Sequence, residues 1–255
     1  MPPRPEAAPP ARWLLRGFER YAGGYLRRHF HGIRLLGEWP AVPSDRPLVI
    51  YLNHPSWWDP LICLLLAKHC CAERGNYAPI DDAMLKRYAF MQRLGFFGVE
   101  QGSRRGAADF LRTSEAILQK GNTSLWLTPQ GRFVDARCRP VELASGLSHL
   151  MRRMPQAVYL PLALEYVFWT ERTPEALACF GTPVTDPGQL ASTLEATQDR
   201  LAAAAIRRNA AEFQTMLGGA AGEGGIYQAW RRVRSLWQGD RFQLAHGAGH
   251  KENPS

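Results

Sequence analysis

A histidine and an aspartate stand five residues apart in the segment Asn53-His54-Pro55-Ser56-Trp57-Trp58-Asp59. An imidazole can take a proton near neutral pH. A carboxylate that accepts its Nδ1–H fixes the tautomer and stabilises the imidazolium that forms. The apolar run 47–52 (PLVIYL) ahead of the segment reads as a buried strand. Pro55 turns the chain, and a helix is expected over 58–68. That corner can fold Asp59 back onto His54. It also lies at the carboxyl end of a strand, where α/β sheets bind their ligands. An arbitrary pair at this spacing is more often structural than catalytic, so the pair alone does not decide. No G-x-S-x-G elbow occurs and no cysteine neighbours His54. A base here would therefore act on the hydroxyl of a substrate.

The segment 53–59 resembles the N-H-x4-D signature of the glycerolipid acyltransferase family, whose best known members are 1-acylglycerol-3-phosphate acyltransferases. Three later segments agree with that family in order and spacing. Gly95-Phe96-Phe97-Gly98-Val99 resembles its second block, a glycine before an apolar strand. Leu127-Thr128-Pro129-Gln130-Gly131 resembles its third, and Tyr159-Leu160-Pro161-Leu162 its fourth, a proline inside a strand. The matches span about residues 47–166, and the first block is the most specific. The resemblance implies that His54 deprotonates a hydroxyl on a lipid acceptor while Asp59 orients it. The alkoxide attacks an acyl thioester, on coenzyme A or acyl carrier protein, without an acyl-enzyme. It also implies substrate contacts at Asn53, Gly95, Arg104, Arg105, Gln130, Gly131, Arg132 and Pro161, with backbone N–H groups near Gly131 as candidates to hold the oxyanion. No metal or resident cofactor is expected; the thioester is a substrate.

Two departures bear on the acceptor. The family's second block usually ends in arginine, where Gln101 stands here. Its third usually reads Glu-Gly-Thr-Arg, where this chain has Gln130-Gly131-Arg132-Phe133. Arginine suits phosphate because its planar fork donates two parallel hydrogen bonds. Either Arg104, Arg105 and Arg132 deliver the charge from shifted positions, or the acceptor is a hydroxylated or glycosylated lipid without phosphate.

The elements that must position these residues alternate between strands and helices. Strands are expected at 47–52, 76–80, 96–99, 124–127, 158–164 and 177–180. Helices are expected at 58–68, 82–94 (closed by Gly95), 103–120 (capped by Ser103), 146–154 and 189–217. This predicts an α/β fold, a mixed and largely parallel sheet flanked by helices, preceded by an N-terminal amphipathic helical segment. The predicted organisation is a disordered stretch 1–11, amphipathic membrane-surface helices over 12–40, an acyltransferase domain over 41–217, a linker 218–225, a basic helix 226–238 and a mobile tail 239–255. Gly23-Gly24 is expected to break or kink the first helix.

The charge is uneven. Residues 1–40 carry seven arginines against three glutamates, and 226–241 carry four against one aspartate, so the middle is close to neutral. Basic ends suit either nucleic acid or an anionic bilayer. The aromatic, amphipathic character of 12–36 favours the bilayer over nucleic acid, although an ordinary surface helix has the same periodicity. Five cysteines without a C-x-x-C pair read as reduced thiols. No run of 18 apolar residues and no export signal is evident. The expectation is a peripheral or monotopic protein on the cytoplasmic face of a membrane. A hydrolase, a nucleic-acid-binding module or a non-catalytic membrane protein are the competing classes. His29 and His31 lack an apparent third ligand for a metal.

Overall fold

A computed structural model describes residue 7 and residues 9–219 of the 255-residue chain. An eight-stranded sheet runs in the order β4-β3-β5-β2-β6-β7-β1-β8. In chain order its strands are β1 (Gly32–Leu36), β2 (Leu48–Leu52), β3 (Gly75–Asp81), β4 (Phe96–Val99), β5 (Thr123–Leu127), β6 (Val158–Val167), β7 (Glu175–Phe180) and β8 (Phe213–Gly218). The helices are α1 (Arg12–His29), α2 (Asp59–Cys70), α3 (Asp82–Arg87), α4 (Arg104–Leu118), α5 (Ser145–Arg153) and α6 (Leu190–Arg207). The pairs β3–β4, β3–β5, β2–β5, β2–β6 and β1–β7 are parallel, whereas β6–β7 and β1–β8 are antiparallel. The α/β class with a mixed, largely parallel sheet is thus what the chain adopts.

Central parallel strands covered on both faces are apolar along most of their length. Every residue of β2 and β5 is buried. Leu48, Ile50 and Leu52 face one way and pack with Leu26 and Phe30 of the α1 side and Ile62 and Leu66 of α2. Val49 and Tyr51 face the other way, toward Ile117 and Leu118 of α4 and Leu147 and Leu150 of α5. The period-two alternation of β2 therefore joins both helical layers. Because β2 to β6 run in one direction, their carboxyl ends meet at one edge of the sheet.

Several sequence expectations are corrected. The first helix does not run on toward residue 36; residues 32–36 are β1, between β7 and β8. Ile33 and Leu35 are buried, and Arg34 gives its fork to the buried Glu175, 2.9 and 3.2 Å away. Gly23-Gly24 does not break α1, which is continuous across it. Each helix glycine costs about 1 kcal/mol relative to alanine, and burial of Ala22 and Leu26 on either side holds the helix. The helix expected over 189–217 stops at Arg207, where Arg208 turns left-handed (φ 52°). Phe213 and Leu217 of β8 are then buried in opposite layers, on either side of a register shift, and the strand covers the edge of β1. Residues 9–11 are also placed: the Ala11 N–H donates to the Arg93 carbonyl at 2.7 Å. Most of the expected linker, the basic helix 226–238 and the tail lie outside the described residues, as do residues 1–6 and 8.

Candidate active site

β2 ends at Leu52, but its pairing with β6 does not stop there. The last backbone pair is Leu52 with Leu162. Beyond it the Asn53 side chain imitates one more rung. Its Nδ2 donates to the Leu164 carbonyl at 2.9 Å, and its Oδ1 accepts from the Leu164 N–H at 2.8 Å. Asn53 is 1% exposed, so its amide serves the sheet and does not face a substrate. His54 leaves the strand from this fixed point.

The backbone of His54 is held on both sides. Its N–H donates to Gln130 Oε1 at 2.9 Å, and its carbonyl accepts from the Val134 N–H at 2.9 Å. The chain then turns through Pro55 and Ser56, and Pro60 sits in the first turn of α2, where a missing N–H costs nothing. Asp59 starts that helix and its Oδ2 lies 2.6 Å from His54 Nδ1. A carboxylate only accepts, so Nδ1 carries the proton and Nε2 is the basic nitrogen. The imidazole is 19% exposed and the carboxylate 1%. The imidazole thus reaches solvent while its partner is sealed.

Two further donors meet Asp59. The Ser56 N–H reaches Oδ2 at 3.2 Å, and the Tyr166 hydroxyl donates to Oδ1 at 2.6 Å. Burial, with the Asp59 charge beside it, pushes the Tyr166 phenol well above its ordinary range, so it remains a donor. The same two causes push the Cys63 thiol up, one turn along α2. That keeps it protonated and unsuited to nucleophilic attack. Over the imidazole lies the Phe133 ring, centroids 4.4 Å apart and the phenyl 59% exposed. Trp57, also exposed, stacks on Trp58 at 4.3 Å.

The other sequence-predicted residues separate into two groups. Gln130, Gly131 and Arg132 follow β5, the neighbour of β2, and so stand beside His54. The Gly131 N–H is given to the Thr128 carbonyl at 3.0 Å, and that of Val134 to His54. Among the described residues, the Arg132 and Phe133 amides of this loop carry no such bond. The Arg132 side chain turns toward Glu142, 3.7 Å away at the surface. Arg104 and Arg105 begin α4 on the same sheet edge, three strands from β2. At the usual strand spacing that is about 14 Å. Arg105 also sits 4.0 Å from Asp109.

Gly95 and Pro161 lie away from the site. Gly95 precedes β4, at the opposite edge of the sheet. Its φ of 100°, and the collision that any side chain there would make with the Asn76 carbonyl, make it a turn glycine. Pro161 is buried within β6, in register with Tyr51. The sequence reading did not find Tyr166 or the contact of Phe133 with His54. Tyr166 lies 107 residues from Asp59, and only the pairing of β6 with β2 brings them together.

The surface carries two clefts, of which only the first includes neighbours of the pair, Pro55 and Tyr166. One, of about 480 Å³, is bordered by Pro55, Arg137, Glu165, Tyr166 and Phe168. Burial raises the Glu165 carboxyl there, with the Arg137 charge pulling against it. The other, of about 400 Å³, lies between α1, α2 and β8, with Leu26, Leu61, Leu64 and Leu65 among its apolar walls. Among the described residues no three His, Cys, Asp or Glu side chains cluster as a metal site would.

A family model described as Acyltransferase matches residues 34–165, more than half of the chain, from within β1 to within β6. A comparison with curated proteins finds no match. Among solved structures, one match is the 1-acyl-sn-glycerophosphate (LPA) acyltransferase PlsC from Thermotoga maritima. It is 14% identical, with a TM-score of 0.50 over 77% of this chain and 80% of that one. At that identity the likeness is one of fold.

Proposed function

From the premise that this chain belongs to the acyltransferase family, we propose that it moves a fatty acyl group from an acyl thioester to a hydroxyl of a lysophospholipid or related lipid. The observation that carries the reading is the His54–Asp59 pair, 2.6 Å apart at the carboxyl end of β2. His54 Nε2 takes the hydroxyl proton as the acceptor oxygen attacks the thioester carbonyl. The tetrahedral oxyanion then collapses, the carbon–sulfur bond breaks, and the imidazolium returns its proton to the departing sulfur, so that a thiol leaves and His54 is neutral again. A positioned base of this kind contributes roughly 10²–10⁴-fold. The Arg132 and Phe133 amides are the nearby donors suited to the oxyanion. The donor is acyl-CoA or acyl carrier protein.

A bilayer partner at the cytoplasmic face fits the exposed side of α1. Trp13 and Tyr21 are 66% and 64% exposed there, beside the exposed Arg12, Arg16 and Arg20. Among the described residues no helix is long and apolar enough to cross a membrane. Nucleic acid is not needed to account for this charge. A second reading of the acceptor, a hydroxylated or glycosylated lipid without phosphate, is favoured by one observation. The side chain against the base is the Phe133 ring, while Arg132 turns to Glu142.

The test is transfer from labelled acyl-CoA to lysophosphatidic acid and to uncharged hydroxy-lipids, with native protein and His54→Ala. Transfer is expected from the native protein and not from a folded His54→Ala. Retained transfer in that variant would remove His54 from the mechanism, and acyl release without transfer would make the protein a hydrolase.

A further inference from the structure

We infer that Tyr166 is a positioning residue for the catalytic pair, acting through Asp59; the inference rests on the reading of His54 as the base. A sealed carboxylate beside an imidazole has two oxygens and several rotamers that could serve it. Here Oδ2 takes the His54 Nδ1–H and the Ser56 N–H, and Oδ1 takes the Tyr166 hydroxyl at 2.6 Å. With both oxygens engaged, the carboxylate plane is fixed and only Oδ2 faces the histidine. The bond to Oδ1 also draws negative charge from Oδ2, which sets how strongly the carboxylate holds the imidazolium.

The placement of the hydroxyl is itself determined by the sheet. Asn53 clips Leu164 through both atoms of its amide. His54 follows Asn53 directly, and Tyr166 follows Leu164 by two residues, on the same face of β6. One clip therefore fixes the origin of the base and of the group that holds its partner. The Tyr166 ring packs 5.9 Å from Phe30, which in turn meets Trp58 edge-on at 4.9 Å. The phenol is thus wedged between the strand and the corner that carries Asp59. No substrate contact is needed for it to act, so its effect belongs in the chemical step and not in binding.

Tyr166→Phe keeps the ring and removes only the hydroxyl. The expected result is a fall in kcat of about 10-fold, the scale of a hydrogen bond to a charged group, with KM for donor and acceptor unchanged. The downfield proton resonance of the His54 Nδ1–H, identified by its loss in His54→Ala, should move in Tyr166→Phe. Thermal unfolding checks that the variant is folded. Placing 3-fluorotyrosine at position 166, which retains the bond, should retain kcat and gives a second measurement in a chain that keeps its packing. An unchanged kcat in Tyr166→Phe, a loss carried in KM, an unmoved resonance, or a fluorotyrosine protein as slow as Tyr166→Phe would each overturn the assignment. Transfer that survives His54→Ala would instead overturn the proposed function, which keeps the two failures apart.

Discussion

Asn53→Leu should destabilise the protein well beyond what its conservative size suggests. The native side chain satisfies two buried backbone groups, the N–H and carbonyl of Leu164, at 2.8 and 2.9 Å. Leucine has a similar volume and can satisfy neither. Each orphaned buried group costs about 1–3 kcal/mol, so the pair predicts a loss of about 3 kcal/mol with partial relaxation. For a chain of this size about 1 kcal/mol shifts Tm by about 2–4 °C, which places the expected fall near 6–12 °C. The loss is read by urea unfolding and by thermal melting of the purified protein. Activity should fall further than the folded fraction, because His54 adjoins the clip. A Tm within about 2 °C of the native value would refute the reasoning, since it would mean that the side-chain rung between β2 and β6 contributes nothing.

Three other outcomes follow from separate parts of the molecule. Burial raises the Glu165 carboxyl, so its folded-state stability contribution is full below the unfolded carboxylate range and is lost as pH rises through the folded value. Glu165→Gln should therefore be more stable than the native protein at neutral pH, with the difference vanishing toward about pH 4; a pH-independent difference in Tm would contradict this. Arg34→Met leaves the buried Glu175 carboxylate without its two-pronged partner, at a cost of about 3–5 kcal/mol. Arg34→Met/Glu175→Gln should recover part of that loss in denaturant titrations, and a double variant no better than the single one would count against the pair. Alkylation of the native protein at pH 8, followed by mass spectrometry, should label the exposed Cys138 first. Cys70, pushed up to about 11 by burial, and Cys71, pushed up to about 12, should lag; equal rates would contradict that order.

Phe133 is the side chain packed against the His54 imidazole. Its ring lies over the imidazole, and the loop that carries it is tied to His54 through Val134 and Gln130. In the proposed reaction the acceptor hydroxyl therefore meets a loop whose backbone is fastened to His54 itself.

The amino-acid sequence alone determines the strand–corner–helix unit from residue 48 to residue 70. A fully apolar β2, Pro55, and Pro60 at the helix start are local signals, and His54 and Asp59 are too near in sequence to escape one another once the corner forms. The alternation of strands and helices, the Ser103 cap and the Gly95 turn are local in the same sense. Tertiary structure alone decides what local periodicity cannot contain. Residues 32–36 and 213–218 become strands because each covers the other's edge across a separation of about 180 residues. Asn53 becomes a sheet rung because Leu164 arrives beside it. Arg132 and Phe133 are adjacent in the chain, yet one turns to Glu142 and the other to His54. Tyr166 reaches Asp59 only because β6 pairs with β2, a contact that costs chain entropy until the sheet has formed.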